Sequence, residues 1–309
     1  MPMVHLFFIG IVLVFDKFKF VILTQSSYIS LSKSMRGKFI INPKNRTMKS
    51  ILFITFCFFC LVIQSQEITT KLHSEKALEA DSFIGVDEFQ NIYYVKENIL
   101  YKKTSKKLFS YSNVGLGKLS SVNIQNPFKV ILFYAEFNAA IILDNNLNEL
   151  TQKIDFTKET QFNNVVFVSG ASQNNIWLYA DDNKLHLYDY QNYAEVLQTQ
   201  PTTFYDPDFI PKTIVSTLKN IWILSMNTVL EFNEYGVYTK SFNLQDVQEI
   251  FSFQKGFIFF KKHKFFYQEP SGIIPIRLDY EDSFESIYIN SAYIFIFDGK
   301  TVYQYQIIR

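Results

Sequence analysis

A five-residue apolar segment that returns at a steady interval constrains this chain more than any other feature. Asn175-Ile176-Trp177-Leu178-Tyr179 is echoed about 45 residues later by Asn220-Ile221-Trp222-Ile223-Leu224. Weaker copies stand at Asn91 to Val95, Lys129 to Phe133, Gly256 to Phe260 and Ser291 to Phe295. Each copy is followed by a turn and a second apolar run. A period of about 40 residues built in this way marks a repeat architecture, whose units cannot bury their apolar faces alone and stack on their neighbours.

The units read as meanders of four short strands joined by polar turns. In the first, Ser82 to Val86, Ile92 to Val95, Ile99 to Lys102 and Lys107 to Tyr111 are the strands, and four further units repeat the order through Leu278. The 33 Phe and 19 Tyr residues support strands over helices, since aromatic side chains suit a pleated, half-buried surface. The second strand of each unit is nearly continuous in apolar residues, as it must be if both its faces are covered. The third alternates more, as in Leu185-His186-Leu187 and Val229-Leu230-Glu231-Phe232. In the second unit the fourth strand is expected over Leu150 to Ile154.

The sixth unit, from Ser286 to Tyr305, is one strand short, and one unassigned strand, Ile68 to Leu72, stands ahead of the first unit. In a closed ring of blades the outer strand of the last blade can come from the other terminus. The expected fold is therefore all-β, a propeller of about six four-stranded antiparallel blades whose last blade is completed by the amino-terminal strand.

Residues 1–65 differ from the rest. Ile51 to Ile63 is an apolar run with Lys44, Arg46 and Lys49 ahead of it and Gln64-Ser65-Gln66-Glu67 behind it, the parts of a helical secretory signal with cleavage near Ser65. The run is too short to cross a bilayer, which takes about 20 residues. The expected organisation is an over-extended start or leader over 1–47, a signal peptide over 48–65 and the propeller over 66–309. Both cysteines, Cys57 and Cys60, fall in the signal, so a disulfide, a thiol nucleophile or a cysteine metal site is not expected in the exported part. Residues 1–65 hold 8 of the 30 Lys and Arg and 1 of the 29 Asp and Glu, which leaves 22 against 28 and a net charge of −6 for the rest. That balance argues against nucleic acid as a partner.

Phe83-Ile84-Gly85-Val86-Asp87-Glu88-Phe89-Gln90-Asn91-Ile92-Tyr93-Tyr94-Val95 resembles the blade motif of NHL-type and gluconolactonase-type propellers: an apolar strand, Asp, a turn, then Asn or Gly before a second apolar strand. The resemblance covers one blade well and the segments around Trp177 and Trp222 in part. It implies the architecture. It also implies an alternative activity, a metal-dependent hydrolase or lactonase with carboxylate and Asn ligands around a central ion, but no such set can be matched onto this chain.

The residues that could carry chemistry have structural readings beside them. Trp177 and Trp222 could form a ligand platform, but equivalent positions in successive repeats mark them as fillers between blades. Asp87, Asp144, Asp181, Asp182, Asp189 and Asp298 could ligate a metal, but all fall in turns, where Asp accepts backbone hydrogen bonds. His5, His73, His186 and His263 show no ligand spacing, and no triad partner is identifiable. The cluster Lys261 to Lys264 reads as a solvated hairpin tip. The acidic, proline-stiffened connector from Tyr205 to Pro211 supplies the candidate rim contacts, Tyr205, Asp206 and Asp208.

No catalytic set, cofactor site or metal site is expected from these residues. The function expected is that of an exported cell-envelope propeller, in the periplasm, outer envelope or secreted, acting as a monomeric scaffold for a protein or glycan, with no membrane span in the mature chain.

Overall fold

A computed structural model describes residues 11–16, 19–24, 67–160, 162, 164–280 and 282–308. The expected signal segment, its two cysteines and the cleavage point lie outside the described residues. By its contacts the chain divides into Met1–Gln64 and Ser65–Arg309. In the first unit, Ile11–Asp16 (β1) and Lys19–Thr24 (β2) pair antiparallel.

The second unit is built from β3 (Ile68–Ala77) and six sets of strands. Blade 1 holds β4 (Ser82–Val86), β5 (Ile92–Lys96), β6 (Ile99–Lys103) and β7 (Leu108–Tyr111). Blade 2 holds β8 (Ser121–Asn126), β9 (Lys129–Tyr134), β10 (Ala139–Leu143) and β11 (Ile154–Asp155). Blade 3 holds β12 (Val165–Gly170), β13 (Asn175–Ala180), β14 (Leu185–Asp189) and β15 (Ala194–Gln198). Blade 4 holds β16 (Thr213–Ser216), β17 (Asn220–Leu224), β18 (Thr228–Asn233) and β19 (Tyr238–Asn243). Blade 5 holds β20 (Glu249–Phe253), β21 (Gly256–Lys261), β22 (Lys264–Glu269) and β23 (Gly272–Arg277). Blade 6 takes β24 (Ser286–Ile289), β25 (Tyr293–Phe297) and β26 (Thr301–Ile308) from its own segment and β3 from the amino-terminal side.

The closing strand lies where the arithmetic of the repeats requires it. β3 runs antiparallel to β26 from Thr301↔Ala77 to Ile308↔Thr69, and at its start Ile68 and Thr69 also pair, in parallel, with Ile276 and Arg277 of β23. Blades 5 and 6 thereby share one eight-stranded sheet. The strand extends past Leu72, its expected end, through Ser74, Glu75 and Lys76 to Ala77. As an outer strand β3 buries only Ile68 fully, so its polar residues hid its length.

Six apolar clusters fill the gaps between blades, and each draws on two successive blades. Phe83 and Val86 meet Phe295, Phe297 and Val302 between blades 1 and 6; the other five gaps lie between consecutive blades. An open row of six blades would have five such layers. Six layers mean a closed ring.

The second strands show why they must be apolar on both faces. Ile221 and Ile223 of β17 enter the layer against blade 3, while Trp222 and Leu224 enter the layer against blade 5. Ile294 and Ile296 of β25 likewise face blade 5, and Phe295 and Phe297 face blade 1. Trp177 and Trp222 are 2% and 1% exposed, so the structure places both as packing residues. The Trp222 indole N–H donates to Glu231 Oε2 at 2.8 Å, which meets the need of a buried indole for an acceptor.

Two expectations change. Leu150 to Ile154 is not a continuous strand: Asp144 caps its turn by accepting from the backbone amides of Asn146 and Asn148, and Leu150 N bonds back to Ile142 O. Glu149 makes an isolated bridge to Leu143, Ile154 and Asp155 form the two-residue strand that pairs with β10, and Phe156–Glu159 turn into a short helix. The third strands β14 and β18 do not alternate in burial either: His186 and Glu231 are 1% and 8% exposed, and each has hydrogen-bond partners of its own.

Candidate functional site

The first strands of all six blades line the axial channel: Ile84, Val122 to Gln125, Ser169, Ile214 to Ser216, Ile250 to Ser252 and Tyr288 to Asn290. Its two sides differ chemically. On blades 2, 3 and 4 the wall is a chain of amides and hydroxyls. Asn123 Nδ2 donates to Ser169 Oγ at 3.4 Å, Ser169 Oγ and Ser216 Oγ are 2.7 Å apart, and Ser216 Oγ donates to the Gly170 carbonyl at 2.6 Å. On blades 5, 6 and 1 the wall carries the rings of Phe251 and Tyr288 with Ile84, beside Ser252, Asn290 and Ser291. Tyr288 lies so close over Gly85 that a Cβ there would fall 2.4 Å from its ring, and the +148° φ of Gly85 is itself a glycine conformation.

The channel opens on one face into a cavity of about 620 Å³, bordered by the turns that join first to second strands. Asn123 and Gln125 belong to both channel and mouth, and Gly170 leaves room for them, since a Cβ there would meet Gln125 Oε1 at 2.9 Å. The charged residues of the mouth are Glu88, Lys129, Lys219 and Lys255. On the bordering turns of blades 1 and 2, Phe89 and Phe128, 53% and 57% exposed, meet edge to face at 5.9 Å, and Leu218, in the lining of the cavity, is 62% exposed.

Two buried lysines fix the turns at this face. Lys129 donates to the carbonyls of Ala171, Gln173 and Asn175 at 2.6, 2.8 and 2.9 Å, so blade 2 grips the turn of blade 3. Lys102 donates to Asn145 O at 2.9 Å and lies 3.7 Å from Asp87 Oδ2, so blade 1 grips blade 2. Asp87 in turn accepts from Phe89 N and Asn91 N, both at 2.9 Å, and thereby sets the turn that carries Phe89.

Burial pushes the Lys129 ammonium down to about 8. An unfolded lysine holds its proton to about 10.4, so between these values the unfolded chain binds more protons and folding stability rises with pH. Urea unfolding at pH 7 and pH 9.5 checks this: the stability of wild type relative to Lys129→Met rises over the interval.

The sequence-derived candidates are scattered over the molecule. Tyr205 stacks on Tyr238 at 4.2 Å, Asp206 Oδ2 accepts from Thr228 Oγ1 at 2.9 Å, and Asp208 is exposed on the connector from blade 3 to blade 4. Asp144, Asp189 and Asp298 cap their own turns by accepting backbone amides. Burial opposes the charge on these three carboxylates, but the donated hydrogen bonds outweigh it and hold each below the ordinary value. His186 lies between Glu195 Oε2 at 2.9 Å and Asp182 Oδ1 at 3.1 Å. Lys262 and His263 form a two-residue hairpin tip with φ of 49° and 61°.

A metal-dependent hydrolase needs several carboxylate or amide ligands converging on the axis. The mouth offers Glu88 alone as a carboxylate, and no group of three His, Cys, Asp or Glu side chains suited to a metal forms among the described residues.

Neither a known family nor a characterised relative matches the sequence. Solved structures match in shape. A catalytically inactive virginiamycin B lyase from Staphylococcus aureus with quinupristin has a TM-score of 0.55 and 13% identity, covering 77% of this chain and 100% of that one. A streptogramin B lyase gives 0.50 and 10%, over 76% and 98%. BBS1N in complex with ARL6DN gives 0.50 and 9%, over 74% and 78%. The chain has the β-propeller fold. At these identities the likeness carries the fold and no activity.

Proposed function

We propose that this chain is an exported propeller that works as an interaction scaffold and receives its partner at the channel mouth. The observation that carries the reading is an axial cavity in which amides and lysines stand among apolar groups, with exposed Leu218 in its wall and exposed Phe89 and Phe128 on the turns that border it. Large apolar side chains half exposed around a concave, mainly apolar cavity with a few convergent polar groups are what a binding face presents. Structures of this fold include a lyase and a component of a protein complex, so the fold itself leaves the choice to the site. The mouth supplies hydrogen-bonding amides and hydroxyls, three lysines and apolar edges, which suit recognition. Export rests on the basic and apolar leader that ends near Ser65.

A photo-crosslinking residue in place of Phe128 tests the binding face, with Val114 on the opposite face as control. Cell-envelope material is expected to crosslink at position 128 and not at 114; equal labelling would reject the mouth as the site. Mass spectrometry of the mature amino terminus is expected to find it near Ser65, and an intact leader would reject export by cleavage.

A further inference from the structure

The mouth has an electrostatic character at odds with the domain that carries it. Residues 66–309 have a net charge of −6, yet the mouth holds Lys129, Lys219 and Lys255 against Glu88 alone. Lys129 is 4% exposed and has no carboxylate partner among the described residues. Its hydrogens go to three carbonyls and its charge lies 5.9 Å from the Tyr190 ring, so it is hydrogen-bonded without being neutralised. A positive charge held in a region of low dielectric acts more strongly on its surroundings than one in water.

We propose that the mouth captures the free carboxylate end of an extended peptide, with an apolar side chain of that peptide seated on Phe89 and Phe128. This rests on the reading of the mouth as the binding face and adds the chemistry of the ligand. Lys219 and Lys255, both exposed, are placed to meet the carboxylate directly, and Lys129 adds its field from beneath. The amides of Asn123 and Gln125 each offer a donor and an acceptor, the complement of a peptide bond. Phe89 and Phe128 meet at 83°, which presents one edge and one face and suits an aliphatic or aromatic side chain better than the flat stacking of a sugar ring. Capture of a terminal carboxylate is a recurring mode of peptide recognition.

The test uses the full chain against an array of hexapeptides rich in apolar residues, each made with a free carboxylate and as the terminal amide. The best pair is then measured by calorimetry in low and high salt. The free-acid form is expected to bind about tenfold tighter, with that preference lost in Lys219→Gln/Lys255→Gln and weakened by salt. Phe128→Ser is expected to weaken both forms. Equal binding of acid and amide, still weakened by Phe128→Ser, would overturn the carboxylate and leave the mouth standing. Binding indifferent to Phe128→Ser, or no peptide retained at all, would overturn the peptide proposal; crosslinking at position 128 then decides separately whether the mouth is the binding face.

Discussion

A chain that lacks residues 68–77 is expected to lose cooperative folding altogether. Without β3, blade 6 has three strands, and the outer edges of β26 and β23 are left unpaired and open to association with other chains. Ile68, 3% exposed, also leaves the layer between blades 5 and 6. The ring is a single structure in which every blade covers its neighbour, so one incomplete blade exposes two layers. The expected loss is comparable with the whole stability of a domain, about 5–15 kcal/mol. Size-exclusion chromatography and thermal melts check it: the truncated chain should aggregate or melt without a sharp transition. A monomer with a wild-type melt would show that the terminal strand is dispensable.

Asp87→Ala should have the largest effect of any single substitution at the mouth. The carboxylate accepts from Phe89 N, Asn91 N, Asn91 Nδ2 and Tyr93 Oη, and it is the ion-pair partner of Lys102, which is 1% exposed. Burial pulls the Lys102 ammonium downward, and the charge and hydrogen bond of Asp87 pull it back. Removing Asp87 leaves a buried cation without its counter-charge, which costs about 3–5 kcal/mol. Urea unfolding measures this loss. The double variant Asp87→Ala/Lys102→Met should recover part of it, since the unpaired charge is then gone; a double variant less stable than Asp87→Ala would contradict the ion-pair explanation. Because Asp87 also sets the turn bearing Phe89, the single variant should bind ligand less tightly as well.

The fold was largely legible because the repeat announces itself through covalent neighbours. Strands such as Ile176 to Tyr179 and Ile221 to Leu224 are apolar on both faces, and tips such as Lys262-His263 and Asp298-Gly299 follow local rules of turn chemistry. What escaped notice was set by distant partners. Ser74, Glu75 and Lys76 look like a connector until Gln304 and Tyr303 supply the strand beside them. His186 looks like the solvent side of a strand until the ring of Phe162, from the loop before blade 3, packs against it at 4.1 Å. The mouth was invisible for the same reason: Asn123, Gln125, Lys129, Lys219 and Lys255 come from separate repeats, and only closure of the ring brings them together. One signal was available. A Ser or Asn stands near the end of the first strand in several units, as Asn123, Ser169, Ser216 and Ser252, and superposing the repeats would have lined them up along the axis.

A single engineered crosslink tests the closed ring most directly. Ser74 and Gln304 are register partners in β3 and β26, with Ser74 Oγ donating to Gln304 Oε1 at 2.8 Å, although 230 positions separate the two residues in the sequence. In a chain whose Cys57 and Cys60 are serines, Ser74→Cys/Gln304→Cys should form an intramolecular disulfide under mild oxidation, seen as faster migration on a non-reducing gel and a raised melting temperature. Free thiols after oxidation, or crosslinks only between separate chains, would show that the amino-terminal strand does not close the ring.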